Sequence, residues 1–244
     1  MHATPTMNIA RALLLSITTV ALVACGGAAT VTSASTETPT ATSTPTATPA
    51  PATASATAPT TASGKAWAVT AASKATVSVR EQLVGVSLPS DAVLTATGGT
   101  GTFQLSADGT FSADSKITFD LSTLASDNRD RDNFIKQDTL QVRQFPKAEF
   151  VPVKTTGLAT PLAANGTFTF KLTGNLTLHG KTKEVTFDVV ATRSGSELTA
   201  KATLSPSVKF GDFGMTPPTV AFRVVSIVDE IRLVVDIVAT GDAA

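Results

Sequence analysis

The sequence predicts an all-β domain in which about eight antiparallel strands close into a barrel, and three observations carry that expectation. From Phe168 to Leu178 the even positions are Phe168, Phe170, Leu172, Gly174, Leu176 and Leu178, and the odd positions are Thr169, Lys171, Thr173, Asn175 and Thr177. A period of two belongs to a strand with one dry and one wet face. After His179-Gly180-Lys181-Thr182 the alternation resumes, with Val185, Phe187 and Val189 against Glu184, Thr186 and Asp188. That is a hairpin, and an even four-residue turn keeps both apolar sets on one face. Second, similar alternations recur on both sides of it, separated by short turn signals. Third, a long hairpin cannot bury its dry face alone, whereas a succession of half-wet strands can, by closing on itself and removing its edges.

The chain begins with material that cannot join such a core. A basic start at Arg11 precedes a 12-residue apolar run from Ala12 to Val23, too short to span a bilayer and of the length of a secretory signal. It ends in Leu22-Val23-Ala24-Cys25-Gly26, which resembles a bacterial lipobox, so residues 1–24 are expected to be a lipoprotein signal peptide and Cys25 the lipid anchor. Cys25 is the only cysteine of the 244 residues, so no internal disulfide is expected. From Ala28 to Ser63 every residue except Val31 and Glu37 is Ala, Thr, Ser or Pro. Residues 25–64 therefore read as a linker after the lipidated cysteine. Its reach is roughly 30–35 Å as a coil and about 110 Å as a polyproline-like rod. The expected location is the cell envelope, exported and anchored to a membrane on its periplasmic or extracellular face.

Residues 65–244 are the folded domain. Only Arg11 and Glu37 of the chain's 19 basic and 19 acidic side chains precede it, so it is neutral, which argues against nucleic acid as a partner. The expected strands run in order through Trp67 to Leu83, Val93 to Leu105, Phe111 to Leu121, Ala148 to Thr156, the two arms of the hairpin, Glu197 to Phe210, and Val220 to Ala239. Gly98-Gly99-Thr100-Gly101 interrupts the second and leads into a strand, so it is no phosphate loop. One stretch, Asp127 to Asp138, breaks the period and reads as a short helix opened by an Asx cap, its acids pairing with Arg129 and Arg131.

The inventory for catalysis is thin. His2 lies within the expected signal peptide and would leave with it, His179 sits in a turn, no nucleophile–His–acid set is evident, and no residue cluster suits a metal. The chain therefore reads as no enzyme and as needing no cofactor. What the sequence offers is an apolar face, and an eight-stranded barrel is wide enough either to fill with its own side chains or to hold one small ligand. Periodicity leaves those two alternatives open.

Three segments together resemble the YceI-like domain family. Asn128 to Lys136 followed by Phe145-Pro146-Lys147-Ala148-Glu149-Phe150 is similar to the family's Arg-Asp-x-His-Leu helix and its aromatic-Pro strand entry. Gly174-Asn175-Leu176-Thr177-Leu178-His179-Gly180-Lys181-Thr182-Lys183 is close to the family's hairpin, and Gly211-Asp212-Phe213-Gly214 resembles its Asp-Phe-Gly signature. Order and spacing agree over most of residues 66–240. Phe134 stands where the family has His, and Thr139-Leu140 where it has a Phe pair.

The resemblance implies a lipocalin-like barrel with one short helix. It further implies an interior that binds a polyisoprenoid or similar long-chain isoprenoid lipid or quinone, for sequestration or carriage. Carried onto the dry face, it makes Phe103, Leu105, Ile117, Phe119, Leu121, Phe150, Phe168, Phe170, Leu172, Leu176, Leu178, Val185, Phe187, Val189, Leu233 and Val235 the candidate ligand-binding residues. Arg129 or Arg131 would stand near a polar head, a helix-surface ion pair being the simpler role. The expected partners are the isoprenoid ligand and the membrane through the acyl anchor, with a homodimer allowed for. The alternative is a structural or adhesive cell-envelope module with a filled core and no ligand.

Overall fold

The computed structural model describes residues 64–220 and 222–241, so the signal segment, Cys25 and the linker lie outside the described residues. Among those described, eleven strand segments follow the alternations along the chain. They are β1 (Ala66–Val69), β2 (Lys74–Leu83), β3 (Ser90–Thr97), β4 (Thr100–Gln104), β5 (Lys116–Asp120), β6 (Lys147–Thr156), β7 (Asn165–Leu178), β8 (Lys181–Ser194), β9 (Glu197–Leu204), β10 (Val224–Ile227) and β11 (Arg232–Gly241).

Three pairs of segments are single strands with a bend, which reduces eleven to the expected eight. β1 and β2 bend at Thr70–Ser73, where the Ser73 hydroxyl donates to the Val238 carbonyl and accepts from the Val238 N–H at 2.9 Å. β3 and β4 bend at Gly98 and Gly99. Gly98 has φ +78, and a Cβ on Gly99 would stand 2.9 Å from the Phe119 ring, so both positions need glycine. β10 and β11 are the third pair, both antiparallel to β2. Each strand then pairs with the next along a meander. β11 returns to the first strand, Trp67 opposite Gly241 and Asp236 opposite Lys74, and closes an eight-stranded antiparallel barrel.

The hairpin β7–β8 is the longest pairing, from Asn165 opposite Ser194 to Leu178 opposite Lys181. Its turn is only His179-Gly180, both with positive φ, two residues rather than the four expected; an even count still puts both apolar sets inside. The His179 Nδ1–H donates to the Phe213 carbonyl at 3.2 Å, and its ring stands edge-on to Phe145, so this histidine fixes the turn to its neighbours. Phe111 begins no strand: it makes one bridge to Leu105 and a turn follows before β5. The expected strand from Glu197 ends at Leu204, short of Phe210, and Phe210–Phe213 forms a 3-10 turn closed by Gly214 in the left-handed conformation.

The expected helix is α1, Arg129–Phe134, continued by one π-helical turn, Ile135–Thr139. Asn128 caps it, its side chain accepting from the N–H groups of Asp130 and Arg131. Asp132 turns inward and accepts from both the N–H and the hydroxyl of Ser126, at 2.8 and 2.6 Å, which fixes the helix to the preceding loop.

Candidate functional site: an apolar cavity and its mouth

Inward-facing residues do not fill the barrel evenly. At the end where the described chain enters, Trp67 is 3% exposed and stacks on Phe103 with centroids 6.5 Å apart. Arg193, on the inward face of β8, lays its guanidinium 5.1 Å from the Trp67 centroid and donates to the carbonyls of Leu162, Ala163 and Gly195. A buried arginine is tolerated there because carbonyls and a ring face replace its water. These groups plug one end.

Toward the other end a cavity of about 180 Å³ lies between β2, β3, β5 to β9 and β11, with a wall almost entirely of carbon. Gly174 contributes by its lack of a side chain: a Cβ there would stand 2.5 Å from the Phe150 ring, which packs edge-on against Phe187 at 5.3 Å. Phe210, Phe213 and Met215, each 6% exposed or less, cover it from the 3-10 turn, and Leu124, Ile135, Thr139 and Leu140 cover it from the helical side.

Of the candidate lining residues, Ile117, Phe119, Leu121, Phe150, Leu172, Leu176, Leu178, Phe187, Leu233 and Val235 do line this cavity. Six do not, although their inward parity was read correctly for the hairpin. Phe103 belongs to the plug, stacked on Trp67 and edge-on to Phe111. Leu105, Phe168 and Phe170 are half-buried on the same closed-end stretches of β4 and β7 and beyond them, where the plug occupies the axis. Val185 and Val189, 6% and 3% exposed, are in the packed shell around the cavity rather than on its surface. The residues missed are mainly Val79, Leu94, Phe210, Phe213 and Met215. The Val77, Val79 alternation was visible, whereas the last three lie in an irregular stretch without a period.

Above the cavity a second space of about 560 Å³ forms a vestibule under α1 and the 218–227 segment, and it shares Val79, Leu94, Ile135 and Phe210 with the cavity wall. Its polar side holds Glu81 and Arg131. Arg131 donates to Glu81 at 2.9 Å and to Asp127 at 2.6 Å, so it is the expected helix ion pair and also reaches a carboxylate that is only 5% exposed. Phe134 lines this vestibule. Asp212, N–H-bonded from Lys209 and paired to Lys183 at 2.6 Å, braces the 3-10 turn; the Lys183 hydrogen bond holds its carboxyl below the usual carboxylate range. Among the described residues no three His, Cys, Asp or Glu side chains are grouped to hold a metal ion.

A closed meander barrel with an apolar interior, a helix beside its mouth and a plugged far end defines the lipocalin-like class of β-barrels. The chain belongs to the YceI-like domain family, whose model matches residues 67–239. It is 35% identical over 131 residues to a UPF0312 protein of Pseudomonas putida and 36% over 135 residues to one of Pseudomonas fluorescens. In each case the match covers 48% of this chain and 64% of the relative, so the chain spans somewhat under two thirds of those relatives. Among solved structures, it superposes on a polyisoprenoid-binding domain of Saccharophagus degradans implicated in plant cell wall breakdown. The TM-score is 0.57 at 11% identity, covering 73% of this chain and 99% of that one. BcnA of Burkholderia cenocepacia follows with a TM-score of 0.50 at 19% identity, covering 69% and 96%. At such identities these two likenesses speak for the fold.

Proposed function

We propose that the domain is a binding protein that holds a polyisoprenoid or similar long-chain isoprenoid lipid or quinone inside the barrel, for sequestration or carriage. We further propose that Cys25 and the linker tether it to a membrane of the cell envelope. The observation that carries the first part is the carbon-walled cavity adjoining a vestibule across four shared side chains. A flexible prenyl chain would lose water-exposed area there at about 25 cal/mol per Å², which binds without directional contacts. The family, and the polyisoprenoid-binding neighbour, support the reading. So does the character of the cavity, whose wall is almost entirely of carbon; the reading is of a binder.

The test is extraction. The chain purified from cells that make prenyl lipids, then denatured and extracted, is expected to release close to one prenyl lipid per protein, and Ala202→Leu, which projects into the cavity, to release much less. Trace lipid in both would leave the tethered scaffold with a filled core. For the anchor, mass spectrometry of the mature N-terminus is expected to show an acylated Cys25.

A further inference from the structure

The exposed apolar surface of the domain is gathered at one place. Six of the nine large apolar side chains that the described residues expose are Val84, Val86, Leu88, Phe222, Val225 and Val228. All six lie in two stretches, the β2–β3 connection at 84–89 and the segment 216–228. The first, Val84-Gly85-Val86-Ser87-Leu88-Pro89, has no charged residue, and the second has only Arg223. Water-facing connections ordinarily collect polar turn residues, so such stretches call for a partner.

The two stretches form one rim. The Val84 N–H donates to the Arg223 carbonyl at 3.0 Å, and β10 pairs with β2 from Val224 opposite Leu83. Val84, Val86, Phe222 and Val224 also line the vestibule, so the rim borders the opening to the cavity. Leu88 is 75% and Phe222 96% exposed, and Phe222 holds φ +63, an uncommon backbone state for a bulky residue, with its ring in water.

The geometry points to a lipid bilayer surface as what covers this rim, so that the barrel loads and unloads through its mouth directly at a membrane. The inference rests on the proposed prenyl-lipid guest, which is stored in bilayers and would have to pass this opening. Single side chains protruding from adjoining loops suit insertion at the headgroup–acyl boundary, whereas a stable protein partner needs about 800 Å² of matched surface per side. The one charge on the two stretches, Arg223, faces Asp130 of α1 at 3.5 Å, so the rim presents no net positive charge and attachment does not depend on anionic lipid; phosphatidylcholine suffices. The domain's first described residue is at the plugged end, where the Gly64 carbonyl accepts from Gln104, so an N-terminal tether does not itself deliver the mouth to the bilayer. Under the proposed tether, a linker with the reach its composition implies would let the barrel turn over.

The chain's single tryptophan makes the test direct, because Trp67 lies in the plug. The full chain and its Leu88→Trp and Phe222→Trp forms are mixed with phosphatidylcholine vesicles brominated on the acyl chains. Expected is quenching of the added indoles, unchanged by salt, with the emission of the unaltered chain unaffected. Leu88→Asp with Phe222→Asp should slow uptake of a polyprenyl benzoquinone from vesicles by about ten-fold or more. Rim indoles left unquenched while the chain sediments with the vesicles overturn the inference. Equal quenching at both ends also overturns it, and so does protection of the rim by dimer formation without vesicles. Extraction separates the two proposals: bound prenyl lipid with an unquenched rim removes only the docking surface, and a quenched rim without bound lipid removes only the cavity's proposed guest.

Discussion

The two ends of one barrel, built from the same eight strands, are stabilised in opposite ways. The plugged end places Trp67, Phe103 and Arg193 on the axis and satisfies the arginine with three carbonyls and a ring face. The mouth end leaves a cavity of about 180 Å³ and is covered by a 3-10 turn, a short helix and ion pairs. A dry inner wall is therefore not by itself a binding site. What decides is whether a large side chain from one strand reaches the axis, and here that happens at one end only. The plug fixes the fold, and the mouth forgoes packing that a guest can supply.

The largest effect that would break this comparison is at the plug. Trp67→Ala removes the largest ring in the domain and the cushion under Arg193, and is expected to cost about 3–5 kcal/mol in equilibrium unfolding. If the loss is below about 1 kcal/mol, the plug is not the stabilising end.

A matched pair sharpens it further. Ala239 is fully buried near the plug, and Ala202 borders the cavity. Leucine at Ala239 must displace packed atoms and is expected to cost about 1–3 kcal/mol, whereas leucine at Ala202 enters empty space and should change stability by less than about 1 kcal/mol while displacing ligand. Equal costs in urea melts of the ligand-free proteins would mean that the cavity closes in solution.

How much of this was legible in the chain differs between the same two ends. The hairpin's parity was plain because each arm has one wet face, and it sent Leu172, Leu176, Leu178 and Phe187 to the cavity wall. Gly98-Gly99 marked an interruption of the second strand, and the structure makes it a bend, where a side chain on Gly99 would meet Phe119. The plug was not legible. Arg193 has the inward parity of Phe187 and Val189, but a charge at that position reads as a wet residue until its carbonyl partners, brought from the 162–163 connection, are seen. For the same reason Phe103, Leu105, Phe168 and Phe170 counted as lining, because alternation gives the face of a residue and not its height along the axis. The cover of Phe210, Phe213 and Met215 has no period at all, and only the motif resemblance around Gly211-Asp212-Phe213-Gly214 marked it.

The smallest effect concerns acid, and it separates the ends by chemistry. At the mouth, Asp212 is held below the ordinary carboxylate value of 3.8 first by the Lys183 hydrogen bond and then by the Lys209 N–H. Asp91, between β3 and its neighbours, is lowered first by Arg232, at 2.7 Å, and also by Arg80, at 3.3 Å. A lowered folded value means that these bonds contribute fully above the unfolded value and are lost as the pH falls through the folded one. The loss therefore begins near the unfolded value, about pH 4, where the unfolded chain takes up these protons first, and it completes only as the pH falls through the lower folded values. Asp91 is exposed and Asp212 half-buried at the surface, so solvent screens both and the effect is modest. The plug's arginine is held by carbonyls and a ring, none of which titrates. Amide exchange in residues 208–215 and release of bound lipid should therefore rise below about pH 4 before Trp67 fluorescence changes, with Asp212→Asn removing part of that pH dependence by giving up the same modest contribution already at neutral pH. Simultaneous loss of both signals would show a single cooperative unit, in which the mouth does not open independently of the plug.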